Sequence, residues 1–305
     1  MLTVSNVSKR FGSSVILNDL SFQVKEHTIF GFLGNNGAGK TTTMKMIVGL
    51  SPMDSGSILV HGESVRYGET KTNQYIGYLS DVPQYYSYLT PKEYLMLCGR
   101  VSGIEKTVLN KRIPELLNLV GLSQYNKRIH GFSRGMKQRL GIAQALLNQP
   151  KLILCDEPTS ALDPAGRREI LDLLCSLKDQ ATIVFSTHIL SDVEQICDEI
   201  GILHEGKIVY NETMDHIKQF HTTGFEIEFQ SNDGMELFQS KYEKPMEQEG
   251  YLLRLNQGSE LDIKKALYYL YQFEIPFQSI KRCESNLESF FLEVTNHASN
   301  NQLSI

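Results

Sequence analysis

Along the first sixty residues apolar and polar positions alternate in LTVSNV, LSFQV and GSILVHG, the period of strands that bury one face. TIFGFLG breaks that rhythm, running from an apolar strand directly into a glycine-rich turn. From Thr90 to about Leu147 the spacing becomes helical. Two short apolar runs, LILCD (152–156) and TIVFST (182–187), then flank a helical segment, as expected of parallel strands buried on both faces. Past His221 the pattern restarts with FEIEF (225–229), which places Phe225, Ile227 and Phe229 on one face of a strand. A helix near 234–242, a strand at 251–256, a helix at 259–272 and a strand–helix pair through Thr295 complete a small second α/β domain. The boundaries expected are 1–220 and 221–305, with HTTG (221–224) as the hinge.

The length of 305 residues suits two domains, and 41% apolar with 21% charged residues argues against disorder. No run approaches the ~18 apolar residues of a membrane span, and MLTVSNVSKRFG lacks a basic-then-apolar leader, so a cytosolic chain with no membrane insertion of its own is expected. The five cysteines are odd in number and dispersed, without a CxxC pair, which reads as buried thiols in a reducing compartment. A net charge of −5 weakens any nucleic-acid reading, and residues 221–305, with 7 Lys/Arg against 13 Asp/Glu, make a phosphate-backbone partner for the tail less tenable still.

Gly34-Asn35-Asn36-Gly37-Ala38-Gly39-Lys40-Thr41 fits the phosphate-loop pattern G-x-x-x-x-G-K-[ST] between an apolar strand and the helix beginning TTTMKMIVGL. Glycines let several amides turn inward on phosphates, and the helix N-terminus adds partial positive charge. Lys40 can reach β- and γ-phosphates while the Thr41 hydroxyl ligates Mg²⁺. A chance match is the alternative, expected about once in a hundred chains of this length on glycine frequency. Kinases, GTPases, motor ATPases and transporters all remain open on this loop alone. LILCD ends in Asp156 and is followed by Glu157, so one acid can hold the Mg²⁺ shell and the other polarise water; a solvated strand end is the bland alternative.

Phe132-Ser133-Arg134-Gly135-Met136-Lys137-Gln138-Arg139 lies just before that strand and resembles the signature of the ATP-binding-cassette (ABC) family, usually Leu-Ser-Gly-Gly-Gln. Phe132, Arg134 and Met136 depart from the usual form; Ser133 and Gly135 keep it. Ser160-Ala161-Leu162-Asp163 resembles the family's D-loop, His188 in STH its switch histidine, and Phe11 in KRFG its adenine-stacking aromatic. The resemblance covers about residues 2–220 and implies a P-loop ABC ATPase fold: a RecA-like core, an antiparallel β-subdomain and a helical subdomain. It implies ATP and Mg²⁺ as cofactors. Nucleotide contacts carry over to Phe11, Asn35, Asn36, Gly37, Ala38, Gly39, Lys40, Thr41, Thr42, Ser133 and Gly135, metal ligation to Thr41, Asp156 and Asp81, and catalysis to Glu157 and His188. Where the family has a Gln after IGYLP, the direct register here places Asp81, a competent hard-metal ligand; Gln84 takes the place if the loop shifts by three residues.

The ending LESFFLEVT (287–295) and the SRGMKQR wording are similar to bacterial ATPases that pair with ABC-2-type permeases, including bacitracin and daunorubicin exporters. Tyr75, Tyr78, Tyr85, Tyr86, Tyr88 and Tyr94 cluster near Asp81, where the resemblance sets the groove for a permease helix. What it implies is the ATP-hydrolysing subunit of an exporter, a head-to-tail homodimer around two Mg-ATP. It would sit at the cytoplasmic face of the bacterial membrane through an integral membrane permease and bind no nucleic acid. A soluble ABC ATPase acting on ribosome or DNA is the rival, but such proteins carry a second cassette or an inserted coiled coil, and this sequence has neither. A P-loop kinase leaves FSRGM, SALD and His188 unexplained together.

Overall fold

Strands whose residues are all buried can only be accommodated between two covering layers, and this chain has three of them side by side. The computed structural model describes residues 1–69, 71–221, 224–255, 259–283 and 287–300. The first compact unit, Met1–Thr213, runs β1 (Leu2–Phe11), β2 (Ser14–Val24), β3 (Ile29–Leu33), α1 (Lys40–Ile47), β4 (Ser55–Val60), β5 (Glu63–Ser64), β6 (Ile76–Leu79), α2 (Pro91–Val101) and α3 (Lys106–Leu119). It continues through α4 (Arg134–Ala145), β7 (Leu152–Asp156), α5 (Pro164–Leu177), β8 (Thr182–Thr187), α6 (Leu190–Ile196), β9 (Glu199–His204) and β10 (Lys207–Thr213).

Every residue of β3, β7 and β8 is buried. They occupy the middle of a six-stranded sheet ordered β10-β9-β3-β8-β7-β6, parallel except for β10. In register, Leu33 lies opposite Thr187 and Asp156 opposite Ser186. The carboxyl ends of three adjacent parallel strands are therefore level, and the residues after them share one edge, where open α/β sheets bind ligands.

The alternating segments form a second, antiparallel sheet ordered β2-β1-β4-β5. Phe22 of β2 stacks on Phe30 and Phe32 of β3, with centroids 5.5 and 5.3 Å apart, and joins the two sheets into one core. The β9–β10 hairpin, which the sequence pattern did not reveal, adds a further tie: Asn18 N–H donates to Gly206 O at 2.9 Å. Gly206 has φ +77°, and a Cβ there would stand 2.4 Å from Ile16 O, so the turn requires glycine. The helical stretch resolves into α2, α3 and α4; α2 opens on a capping box in which Thr90 and Glu93 satisfy each other's backbone N–H groups.

The second unit, Met214–Ile305, comprises α7 (Met214–His221), β11 (Gly224–Phe229), α8 (Asn232–Lys241), β12 (Glu247–Glu249), β13 (Leu252–Leu255), α9 (Glu260–Gln272), β14 (Phe277–Cys283) and α10 (Leu287–Asn300). The chain thus divides after Thr213, so that α7 goes with the second unit, against an expected boundary at 220/221. Of the expected hinge, Thr222 and Thr223 lie outside the described residues. Strand order β12-β13-β11-β14, antiparallel throughout, is that of a split βαβ sheet. Phe225, Ile227 and Phe229 share the buried face as their alternation requires, and Phe238 stacks on Tyr242 beneath them. Glu247–Glu249, exposed along its whole length, offers no apolar alternation and was not expected as a strand.

Within this unit Asp262 accepts hydrogen bonds from Lys244 Nζ (2.9 Å) and from the N–H and hydroxyl of Ser259 (2.6 and 2.8 Å). The Lys244 bond, then the Ser259 N–H, hold its carboxyl at about 2 against an ordinary 3.8. Its folded value lies below its unfolded one, so the stabilisation is complete above pH 4 and disappears as pH falls through 2. Asp262→Asn is therefore expected to lower the urea midpoint of the second unit at pH 7 and to leave it nearly unchanged at pH 2, followed by circular dichroism.

Candidate active site

Lys40 opens α1 directly after a loop whose Gly37 and Gly39 adopt left-handed backbone, φ +85° and +112°. Its side chain is 6% exposed, and its ammonium donates to Gly34 O (2.6 Å) and Asn35 O (3.2 Å) and lies 3.3 Å from Glu157 Oε1. Asn35, Asn36, Gly37 and Thr41 are exposed around it, Ala38 and Thr42 half-buried and Gly39 buried, so the loop presents an open rim over a buried cation. Thr43, one turn into α1, donates its hydroxyl to Gly39 O at 3.0 Å and fastens the loop to the helix.

Asp156 ends β7 and Glu157 follows it with φ +49°, a left-handed conformation that a side chain adopts only under constraint. The constraint is Ser186 on β8. Its carbonyl and its hydroxyl both accept from Glu157 N–H at 3.1 Å, while the hydroxyl donates to Asp156 Oδ1 at 2.7 Å. The turn aims the Glu157 carboxylate between two cation-capable groups: Oε1 faces Lys40 and Oε2 lies 2.9 Å from His188 Nδ1. A carboxylate only accepts, so His188 Nδ1 carries the proton there. His188 is 42% exposed, so its ring fixes Glu157 from the solvent side.

Ser133 caps α4, its hydroxyl accepting from Met136 N–H at 3.2 Å, and Gly135 is half-buried in the first turn. Phe132 turns inward instead, 7% exposed and edge-on to Tyr125. Phe11 is 56% exposed with Lys9 Nζ 5.1 Å over its ring, which excludes a core-filling role. Asp81 follows β6 by two residues; because Leu79 pairs with Cys155, it lies beside the end of β7. Its carboxylate accepts from Arg134 at 3.4 Å and its carbonyl from Gln138 at 3.1 Å, whereas Gln84 is exposed farther along the loop.

The tyrosine cluster divides. Tyr94 is buried and bonds Gln144, Tyr85 bonds Lys137 O, and burial raises the phenols of both, as it does that of Tyr78. Tyr75 bonds Glu63 on the antiparallel sheet. Only Tyr86 and Tyr88 are left as exposed rings among the six, 55% and 63% exposed.

Sequence reasoning missed Ser186, whose only signal was its place two residues before His188. It also missed a buried network behind the D-loop: Asp192, 1% exposed, accepts from Thr159 (2.6 Å) and Arg167 (2.5 Å), and Arg167 also donates to Ser191 (2.7 Å). Asp192 sits four residues past His188, so the segments carrying Ser160 and His188 are tied together from beneath.

A lysine-bearing phosphate loop, a strand-end Asp-Glu pair and a histidine on that glutamate, all at one edge of a parallel sheet, define a P-loop ATPase of the cassette type. The chain belongs to the ABC transporter ATP-binding family. A family profile described as ABC transporter matches residues 17–160. The bacitracin transport ATP-binding protein BcrA of Bacillus licheniformis is 42% identical over 236 residues, 76% of each chain. An uncharacterized ABC transporter ATP-binding protein, YhcH of Bacillus subtilis, is 36% identical over 97% of this chain and 96% of its own. Among solved structures, a dimeric post-hydrolysis ATP-binding cassette bound to ADP and Pi superposes with a TM-score of 0.64 at 26% identity, covering 70% of this chain and 99% of that one.

Removing the Ser186 hydroxyl would leave Asp156 Oδ1 without its donor while Glu157 N–H keeps the Ser186 carbonyl. Ser186→Ala should therefore cost about 1–2 kcal/mol of stability and about tenfold in kcat, with ATP affinity changed by less than twofold. Steady-state ATPase kinetics beside titration calorimetry separate the two effects.

Proposed function

We propose that this chain energises an exporter through a separate integral membrane permease, with Glu157 as general base and His188 as the residue that positions it. The observation that carries this reading is the Glu157 carboxylate, 3.3 Å from Lys40 Nζ and 2.9 Å from His188 Nδ1. Lys40 binds the β- and γ-phosphates of ATP, exchanging the carbonyls of Gly34 and Asn35 for phosphate oxygens. Amides of Asn36 to Thr42 wrap those phosphates, and Phe11 covers adenine. Glu157 orients the attacking water and takes its proton; the His188 Nδ1–H keeps the carboxylate in that orientation.

Among the described residues no group of three or more His, Cys, Asp or Glu forms a self-sufficient cation cage. One hydroxyl and one or two carboxylates, from Thr41, Asp156 and Asp81, are the donor set of Mg²⁺ held jointly with phosphate. A Mg²⁺ held by these residues would supply charge neutralisation at the phosphoryl oxygens.

Ser133, exposed, and Gly135, half-buried, open α4, where they serve the ATP of a second copy in a head-to-tail homodimer. A cavity of about 310 Å³ opens between β6, α2 and α4, lined by Leu50, Tyr78, Cys98, Ser102, Ala145 and Asn148. Leu50 and Val101 beside it are 64% and 81% exposed, an apolar rim suited to a permease segment at the cytoplasmic face of the membrane. Among the described residues no helix is long and apolar enough to cross a membrane. BcrA is named for bacitracin transport, which supports a peptide antibiotic as the cargo class.

Glu157→Gln keeps the shape and loses the base. It should bind ATP within about threefold of the native protein and lower kcat by a factor of about 10²–10⁴, and it should accumulate as an ATP-bound dimer on size-exclusion chromatography. Turnover near native with monomers only would assign the base elsewhere.

A further inference from the structure

The loop after β6 rests on the first two turns of α4 through three bonds of unequal character. Tyr85 donates its hydroxyl to Lys137 O at 2.6 Å, and Gln138, 1% exposed, donates to Asp81 O at 3.1 Å. Both are neutral and sheltered; the first holds the loop by a side chain and the second by its backbone. The third is the ion pair between Arg134 and the Asp81 carboxylate, 3.4 Å long with 43% and 44% of the two side chains exposed. An exposed pair at that separation is weak and easily exchanged. The Asp81 side chain can leave Arg134 without the loop leaving α4.

Where it can go is set by the sheet. Leu79 pairs with Cys155, so Asp81 lies next to the strand end that carries Asp156. A carboxylate released from Arg134 there is a hard oxygen donor beside another. On the proposed reading of this edge as the Mg-ATP site, we propose that Arg134 competes with the divalent cation for Asp81. The pair is thus an exchangeable latch: metal entry takes the carboxylate and frees a guanidinium flanked by Ser133 and Gly135 on the outward face of α4.

Titration of a fluorescent ATP analogue by anisotropy, at rising Mg²⁺ and in EDTA, tests this on the full chain. Arg134→Gln should lower the Mg²⁺ midpoint for nucleotide binding by about two- to fivefold, the range an exposed ion pair commands, with affinity in EDTA unchanged. Asp81→Asn should raise the midpoint. The double variant should match Asp81→Asn, because without the carboxylate Arg134 has nothing to withhold. Arg134→Lys, which retains the charge, should lie between native and Arg134→Gln. An equal Arg134→Gln shift in the Asp81→Asn background, a shift in EDTA, or no shift at all would each overturn the exchange. Absence of nucleotide binding by the native chain at every Mg²⁺ concentration would instead overturn the ATP-site reading beneath it.

Discussion

A lysine ammonium with 6% of its side chain exposed cannot be left uncompensated, and the first unit is arranged around that requirement. Two of its partners, Gly34 O and Asn35 O, come from the turn that precedes it, and the third, Glu157, comes from more than a hundred residues away. Glu157 meets Lys40 because β3 and β7 flank β8 in the central sheet with their ends level. That order in turn rests on strands apolar enough to be buried on both faces. A polar substitution within Ile29–Leu33 or Leu152–Cys155 would thus reach the site through the sheet, without touching a ligand.

The same economy governs the elements behind the site. Asp192 is buried, so Thr159 and Arg167 must both be present to satisfy its carboxylate oxygens. Their joint use makes the D-loop start, α5 and α6 a single polar unit beneath the β7–α5 connection. A movement of His188 would carry α6 with it and be felt at Thr159, two residues after Glu157. The path is a set of hydrogen bonds, not proximity alone.

What was legible in the sequence was contiguous. The phosphate loop, Asp156-Glu157 and the Ser133–Gly135 signature each declare themselves within eight residues, since strand, turn and helix chemistry are local there. The FEIEF alternation likewise gave the second unit its buried face. Ser186 and the Arg134–Asp81 pair were hidden for the opposite reason: their partners are 30 and 53 residues distant, and only register and helix packing bring them together. The β9–β10 hairpin was missed because Glu199–His204 pairs in parallel with β3 on one side and antiparallel with β10 on the other. Glu247–Glu249 carries charge where a strand signal would need apolar residues, as short edge strands do.

Strain is distributed accordingly. Glu157 and Ala161, with φ +49° and +53°, are left-handed non-glycine residues four positions apart in the connection between β7 and α5. Each such residue costs about 1–3 kcal/mol unless its surroundings over-determine it. Ser186 fixes the first, and Asp192, bonded by Thr159 just before the second and by Arg167 in α5 after it, brackets the other. Ser160 to Asp163 is thereby held out from the body of the unit, with Ala161 and Asp163 exposed. Anchored at both ends by buried polar bonds, this exposed turn is set in place by the body of the unit and needs no partner to order it.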